Sequence, residues 1–537
     1  MQRVELKIGG QAGEGIKTTG LMLNKTLVRL GFHTFGYSEY PSLIRGGHNV
    51  YQLSVADQPV SATRQKVDIL IALNQETINL HQTELHQNSI IIYDPGEFSL
   101  PKTNLVGDYL PVELIKLAEG IGGKALMANV VALAAVLVLL GLPIDKFLEI
   151  LKETFARKGQ EIVDLNQKAA QAGYAAIKTK SKFNLQVPDK AEPKMVLTAN
   201  EAAGLGAIAG GLQFYSAYPM TPATSILHYL AKVAKKANLV VKQTEDEISA
   251  INMALGASYA GVRSMTATSG GGLCLMAEGI SFSGVAELPM VIVNAMRPGP
   301  GLGMPTWTGQ GDLRFCLHIG HDEFPRIVLA PGDAEEMFKL TKLALVLAEK
   351  YQLPVIILTD KHLAESDFCY PQFEPIHQHK RLDQVRRYVN SYEHDNDGFA
   401  TEDPQVRTEQ MNKRMAKLTN LIKEIPQQPI YQVEAKKIGL ISWGSNKGAI
   451  LDALKDLPQA SFLHLNWLWP LPAKAIQDFA GQVEQLVIVE GNSQAQLAGL
   501  IREQLEIEIK HKILKYDGRP FWPNEIVEKV KKLLTGN

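Results

Sequence analysis

Short apolar runs alternate with longer stretches of helical period along most of the chain. Val4–Ile8 reads as a strand, followed by the glycine-rich turn Gly9–Gly15 and a helix over Ile16–Leu30 that Gly31 stops. His33–Tyr37, Val67–Leu73 and Ser89–Tyr93 read as further strands, the last two closed by Asn or Asp-Pro. A second series predicts helices over Asn200–Leu212 and Glu245–Gly261, with strands at Leu239–Lys242, Ser264–Thr268, Met290–Asn294 and Pro354–Thr359. A third series starts at Ile438–Ile441 and continues with strands at Phe462–Leu465 and Leu486–Glu490. Strands alternating with helices predict a multidomain α/β fold. The boundaries expected from these shifts are 1–171, a lysine-rich tether at 172–194, 195–370, a polar connecting segment with one charged helix at 371–436, and 437–537.

One stretch breaks the amphipathic rule. Ala125–Leu142 is apolar almost throughout and ends at Gly141 and Pro143. A membrane span needs about 20 such residues; inside a globular pattern this run reads as a buried or subunit-interface helix. The composition agrees. Of 537 residues, 45% are hydrophobic and 21% charged, and 55 Lys+Arg balance 56 Asp+Glu. That balance gives no basic face for nucleic acid or anionic lipid, so neither is expected as a partner. The three cysteines, Cys274, Cys316 and Cys369, are far apart, which leaves this chain without a local zinc or iron–sulfur motif. Few cysteines and no secretory pattern make the cytoplasm the expected location.

Four local motifs carry candidate chemistry. Gly10-x-x-Gly13-x-Gly15 lies between a strand and a helix, where backbone N–H groups can hold an anion. The spacing matches neither GxGxxG nor a P-loop, so a tight strand–helix turn competes with that reading. The segment Tyr40–Asn49 presents Arg45 to a phosphate or forms an ordinary Gly-Gly turn. Thr244 and Glu247 fit a capping box at the start of a helix whose Ile248, Ile251, Leu255 and Ser258 share one face. A carboxyl held there beside apolar neighbours has its pKa raised by desolvation and becomes a proton donor near neutral pH. Thr268-Ser269-Gly270-Gly271-Gly272 lets backbone approach a ligand, and Tyr218-Pro219-Met220-Thr221-Pro222 fixes one hydroxyl between two prolines.

Taken in order, Asn200-Glu201-Ala202, Tyr218–Pro222, Gln243–Glu247, Thr268–Gly272 and Arg297-Pro-Gly-Pro resemble the α subunit of 2-oxoacid:ferredoxin oxidoreductases. Gly9–Gly15 and Tyr40–Asn49 resemble that family's γ domain, fused at the N-terminus. Ser391-Tyr-Glu-His-Asp and Lys515–Pro520 resemble its later segments, so the likeness covers nearly the whole chain. It implies a γ-type α/β domain, a pyrimidine-binding domain for thiamine diphosphate (ThDP) and a transketolase-C-terminal-like α/β domain. The implied reaction is oxidative decarboxylation of a 2-oxoacid to an acyl-CoA, with electrons passed to ferredoxin.

The resemblance also implies roles. Glu247 is the acid that hydrogen-bonds the aminopyrimidine of ThDP, with Glu245 as rival. Tyr218, Pro219, Thr221, Ser269 and Gly270 contact the cofactor. Thr221 also lies near the substrate carboxylate. From their place in the following loop Arg297 and Trp307 are expected to face substrate, and as a glycine turn at a helix N-terminus Gly10, Gly13 and Gly15, with Arg45 adding charge, are expected to hold an anionic part of CoA. Many relatives carry Arg or Lys where Trp307 stands; an indole there suits an apolar or larger acyl chain. No Gly-Asp-Gly motif occurs in the chain. Mg²⁺ and a 4Fe–4S cluster are therefore expected on a separate β subunit, in an (αβ)2 assembly. Two other classes stay open: a dinucleotide-binding dehydrogenase using the Gly9 loop, and a non-catalytic scaffold subunit.

Overall fold

The computed structural model describes residues 2–43, 46–100, 105–178, 181–188, 192–371, 373, 391–434 and 437–535. The chain divides into two units: Met1–Leu197 with Ser366–Phe373 and Trp522–Asn524, and Thr198–Glu365 with Glu374–Phe521 and Glu525–Asn537.

The first unit is built on an eight-stranded sheet in the order Asp108–Pro111, Ile90–Tyr93, Ile69–Ala72, Arg3–Gln11, His48–Ala56, His33–Glu39, Asp367–Pro371, Lys194–Thr198. Three strands of its parallel half are those the sequence predicts, because strands buried on both faces are continuous apolar runs; the fourth, the more exposed Asp108–Pro111, was not expected. His48–Ala56, absent from the expectation, pairs antiparallel with Arg3–Gln11 from Arg3↔Ala56 to Gln11↔His48. The apolar run Ala125–Leu142 contains the helix Ala128–Leu140, buried on nearly all sides and ended by Gly141 in the left-handed region. The helix Gln160–Ala176 crosses it so closely that a Cβ on Gly173 would collide with the Val131 carbonyl oxygen. Among the described residues no single helix is long and apolar enough to cross a membrane.

Gln160–Ala176 runs past residue 171, and the first described part of the tether is packed. Leu185 is 3% exposed, and the backbone N–H groups of Lys182, Phe183 and Leu185 bond the Leu139 and Leu140 carbonyls. Those carbonyls end a helix and need outside partners, which the segment supplies. The chain also returns to the first unit before residue 371. Tyr51 donates a 2.7 Å hydrogen bond to Asp367 and accepts one of 3.0 Å from Asn24, fastening Asp367–Pro371 to the sheet beside His33–Glu39.

The second unit holds two sheets. One runs Trp467–Trp469, Ile327–Leu329, Pro354–Asp360, Met290–Met296, Ser264–Thr268, Phe214–Ala217, Val240–Gln243, all parallel except the first. The other runs Ile430–Tyr431, Ala460–Leu465, Ile438–Trp443, Gln485–Glu490, His511–Leu514, again parallel after its first strand. The charged helix expected within the polar connecting segment spans Pro404–Ile422, begun by Asp403 and Pro404. Its Arg414 is 1% exposed and grips Glu393 through both Nη atoms, at 2.9 Å and 2.5 Å.

Helix Ala199–Ala209 lies on helix Ala334–Tyr351 with Gly206 at the contact, where a Cβ would meet the Phe338 carbonyl oxygen. Gly206→Ala gains about 1 kcal/mol of helix propensity and loses about 1–3 kcal/mol to overpacking against backbone that cannot swing away. Thermal or urea unfolding should therefore show a less stable protein, and a more stable one would mean the two helices separate freely.

Candidate active site

Four adjacent parallel strands of the second unit end on one side: Met290–Met296, Ser264–Thr268, Phe214–Ala217 and Val240–Gln243. From Phe214–Ala217 the chain goes first to its neighbour on one side and then to Ser264–Thr268 on the other. Such a switch point opens a crevice beyond the carboxyl ends of the strands. The segments entering it are Tyr218–Pro222, Thr244–Glu247, Ser269–Gly272 and the loop from Arg297, which are the motifs singled out in the sequence.

Glu247 is the first residue of helix Glu247–Tyr259 and is only 5% exposed. The expected Thr244–Glu247 capping box does not form. Asp246 is the N-cap, its carboxylate accepting a 2.7 Å bond from the Ser249 N–H, while the Thr244 hydroxyl donates to the Asp246 carbonyl at 2.8 Å. The cap thus spares the Glu247 carboxyl. Ile251, Leu255 and Ser258 are buried as expected, whereas Ile248 is 48% exposed and lies outside the core face.

Across the crevice Gly272 makes room for that carboxyl: a Cβ there would collide with Glu247 Oε1 and Thr268 Oγ1. Burial raises the Glu247 pKa; the like charge of Asp246 adds to this and Arg297 opposes it. Glu245 behaves oppositely. It is exposed, accepts a 2.6 Å bond from the Ser249 hydroxyl, and that bond holds its pKa below the ordinary range.

The other groups are fixed around this carboxyl. Arg297 Nη1 donates to the Thr221 carbonyl at 2.8 Å, and Asn200 holds the Pro222 carbonyl at 2.8 Å and the Ser225 hydroxyl at 2.7 Å. Burial lowers the Arg297 pKa, against the pull of Glu247. The Ser269 hydroxyl is fully buried and has no partner among the described residues. Asp312 is held at 3.0 Å by Asn294 and would lie 2.7 Å from a Cβ on Gly270, so Gly270 too is a close approach. Tyr218 and Pro219 sit at the crevice rim, Tyr218 being 40% exposed. The sequence reading named Asp246, Gly272 and Asn200 only as members of motifs and gave none of them its own role. Asp246 was legible as an Asx residue three before Ser249; the other two act through contacts between distant segments.

Trp307 lies further along the loop from Arg297, with the Arg519 guanidinium 3.3 Å from its ring centroid. Arg519 also escaped the sequence reading, since 212 residues separate the two positions. The anion candidates fall in the first unit. Gly10 is inside a strand, and the space of its absent side chain is taken by the Glu14 carboxylate, which accepts from the Gln11 N–H at 2.6 Å. Gly13 and Gly15 adopt φ of 101° and 76°, conformations suited to glycine. Arg45 lies outside the described residues. The neighbouring His48 has its pKa lowered to about 4, chiefly by burial, so it adds no positive charge to this loop at neutral pH. No group of three or more His, Cys, Asp or Glu able to hold a metal occurs among the described residues.

Two family models match. Residues 205–425 fit the thiamine diphosphate-binding domain of pyruvate flavodoxin/ferredoxin oxidoreductase, and residues 5–176 fit pyruvate ferredoxin/flavodoxin oxidoreductase. The chain is 32% identical to a 2-oxoacid:ferredoxin oxidoreductase α subunit from Sulfolobus sp, over 99% of this chain and 97% of that one. It is 26% identical to a 2-oxoglutarate oxidoreductase subunit from Mycobacterium tuberculosis, over 100% and 92%. The 2-oxoglutarate:ferredoxin oxidoreductase structure from Magnetococcus marinus superposes with a TM-score of 0.92 at 29% identity, covering 99% of each chain.

A glutamic acid whose pKa is raised by folding favours the fold fully below its unfolded pKa, and this contribution is lost as pH rises through the folded pKa. Glu247→Gln mimics the protonated acid. Its stability relative to wild type should therefore rise as pH goes from about 4 to 8, around and above the ordinary glutamate value. Urea unfolding at several pH values measures this; a constant difference would mean that Glu247 titrates alike in both states.

Proposed function

Because the chain belongs to the 2-oxoacid:ferredoxin oxidoreductase family as an α-type subunit of a multi-subunit enzyme, we propose that Glu247 is the acid that activates its ThDP and that the crevice around it takes a 2-oxoacid. The single observation carrying this is the buried Glu247 carboxyl, freed from capping by Asp246 and seated against Gly272 at the switch point of a parallel sheet. The residues fit the group. A neutral carboxylic acid suits a ring nitrogen, the unpartnered Ser269 hydroxyl suits a polar ring substituent, and the side-chain-free Gly270–Gly272 backbone admits a flat ring. ThDP, when bound, supplies the electron sink for decarboxylation.

This chain's residues then divide the remaining work. Glu247 Oε1 holds a proton for the aminopyrimidine, since its raised pKa keeps it protonated further up the pH scale than an exposed glutamate. Tyr218 and Pro219 wall the rim. The Thr221 hydroxyl and the Arg297 guanidinium, joined through the Thr221 carbonyl, hold the substrate carboxylate by charge-assisted bonds. Ser269 and Gly270 set how deep the cofactor sits. Mg²⁺ and a 4Fe–4S cluster belong on a β subunit, ferredoxin takes the electrons, and the complex is (αβ)2 in the cytoplasm.

Exposed apolar side chains on the site's own elements support a covering partner: Tyr218, Ile248, Leu275, Leu302 and Met304 are each 38–75% exposed. CoA enters as co-substrate, as in the Magnetococcus marinus structure, which holds 2-oxoglutarate, coenzyme A and succinyl-CoA. Its anionic part rests on the Gly10–Gly15 turn, with Arg45 adding charge. The domain roles are residues 1–171 as γ domain, 195–370 as pyrimidine domain, and 437–537 as the C-terminal α/β domain.

The purified chain with ThDP and Mg²⁺ alone should reduce no dye in the presence of 2-oxoacids and carry no stoichiometric iron, and adding the β subunit should restore turnover. In that assembly Glu247→Gln should stay folded and slow proton exchange at C2 of bound ThDP by about 10²–10⁴-fold, the range for one general acid–base group. Normal exchange would move the role to Glu245 or leave Glu247 structural. Separately, Gly13→Val and Arg45→Ala should raise the CoA KM while leaving C2 exchange intact. An unchanged KM in both would reduce the loop to a strand–helix turn.

A further inference from the structure

The loop from Arg297 folds back on itself. A Cβ on Gly309 would lie 3.4 Å from the Pro298 nitrogen, and the Met304 N–H bonds the Pro298 carbonyl at 2.9 Å, so Trp307 returns towards the Arg297 end. The C-terminal turn Asp517–Pro520 docks on the same loop. The Gly518 carbonyl accepts from the Thr308 N–H at 3.0 Å, and a Cβ on Gly518 would sit 3.3 Å from Trp307 Cβ. This docking brings the Arg519 guanidinium carbon to 3.3 Å from the indole centroid, a cation–π contact.

Arg519 is thereby positioned but not neutralised. Among the described residues it forms no ion pair, and its one side-chain hydrogen bond is a 3.3 Å contact from Nη1 to the Asp517 carbonyl. The Asp517 carboxylate is engaged with the Arg519 backbone N–H at 2.9 Å. Arg297 likewise has no ion pair among the described residues, its side-chain bond going to the Thr221 carbonyl. Two guanidiniums without an ion pair among the described residues therefore meet at this loop, its own Arg297 and the docked Arg519 held by an aromatic face. A guanidinium held over an aromatic face by its carbon keeps N–H donors for a bidentate oxyanion.

We propose that Arg519, seated on Trp307, is the receptor for the distal carboxylate of a dicarboxylic 2-oxoacid, while Arg297 takes the carboxylate next to the keto group. The inference rests on the 2-oxoacid reading of this site. It reverses what a bare indole implies: Trp307 is the platform for a cation rather than an apolar wall for an acyl chain.

The test uses the assembled αβ enzyme and compares kcat/KM for 2-oxoglutarate, pyruvate and 2-oxoisovalerate. Arg519→Ala should lower the 2-oxoglutarate value by about tenfold or more through KM, the size of one lost charge-assisted hydrogen bond, with pyruvate changed less than about threefold and the CoA KM unchanged. Arg519→Lys should recover part of the loss, and Trp307→Phe, which keeps a flat ring beneath the guanidinium, should retain most of the preference. Equal losses for all three acids, a shift confined to the CoA KM, or no shift would overturn the proposal. Calorimetric binding of glutarate against butyrate decides Arg519 without turnover: wild type should prefer glutarate and Arg519→Ala should not. An enzyme that oxidises no 2-oxoacid would sink the functional reading, and the glutarate measurement would still decide the receptor, absence of glutarate binding to wild type refuting it.

Discussion

Keeping one carboxyl group out of water is the constraint around which the second unit's crevice is arranged. A glutamate at the first position of a helix would ordinarily face solvent and help the cap. Here Asp246 takes the capping bond and Glu247 turns inward to 5% exposure. The inward turn needs a glycine opposite, so Gly272 follows the end of strand Ser264–Thr268, and Arg297 must lie near enough to temper the desolvation without fully ionising the acid. Each neighbour follows a different parallel strand. Adjacent parallel strands are what place Thr221, Glu247, Ser269 and Arg297 around one crevice although 76 residues of chain separate the first and last.

Much of this was legible in the chain itself. Apolar runs buried on both faces give parallel strands an unbroken hydrophobic signature, and the expected strands at Ser264–Thr268, Met290–Asn294 and Pro354–Thr359 match those observed to within two residues. Gly31 and Gly141 end their helices as left-handed caps or just beyond them, as short-range turn chemistry requires. The site motifs were legible for a related reason: loops at strand ends are short, so each motif sits within a few residues of the strand that positions it.

What escaped the sequence depends on contacts between distant segments. Nothing local to Asp367–Pro371 says that it will pair with His33–Glu39, because a strand five residues long acquires its partner from the sheet. Leu185 lies in a lysine-rich stretch that reads as a tether, yet the open carbonyls of Leu139 and Leu140 capture it. At the site, Thr-x-x-Glu imitated a capping box two residues before the true cap, Asp246. Trp307 looked like a lost cation because the guanidinium on its face comes from Arg519, far along the chain.

The central claim, that burial keeps the Glu247 carboxyl protonated at pH values where an exposed glutamate has ionised, is most directly tested by infrared difference spectroscopy of wild type against Glu247→Gln across a pH titration. The account predicts a protonated-carboxyl band in wild type that persists above the ordinary glutamate range of about pH 4.3 and is absent from the variant. A difference spectrum in which that band disappears within the ordinary range would contradict it.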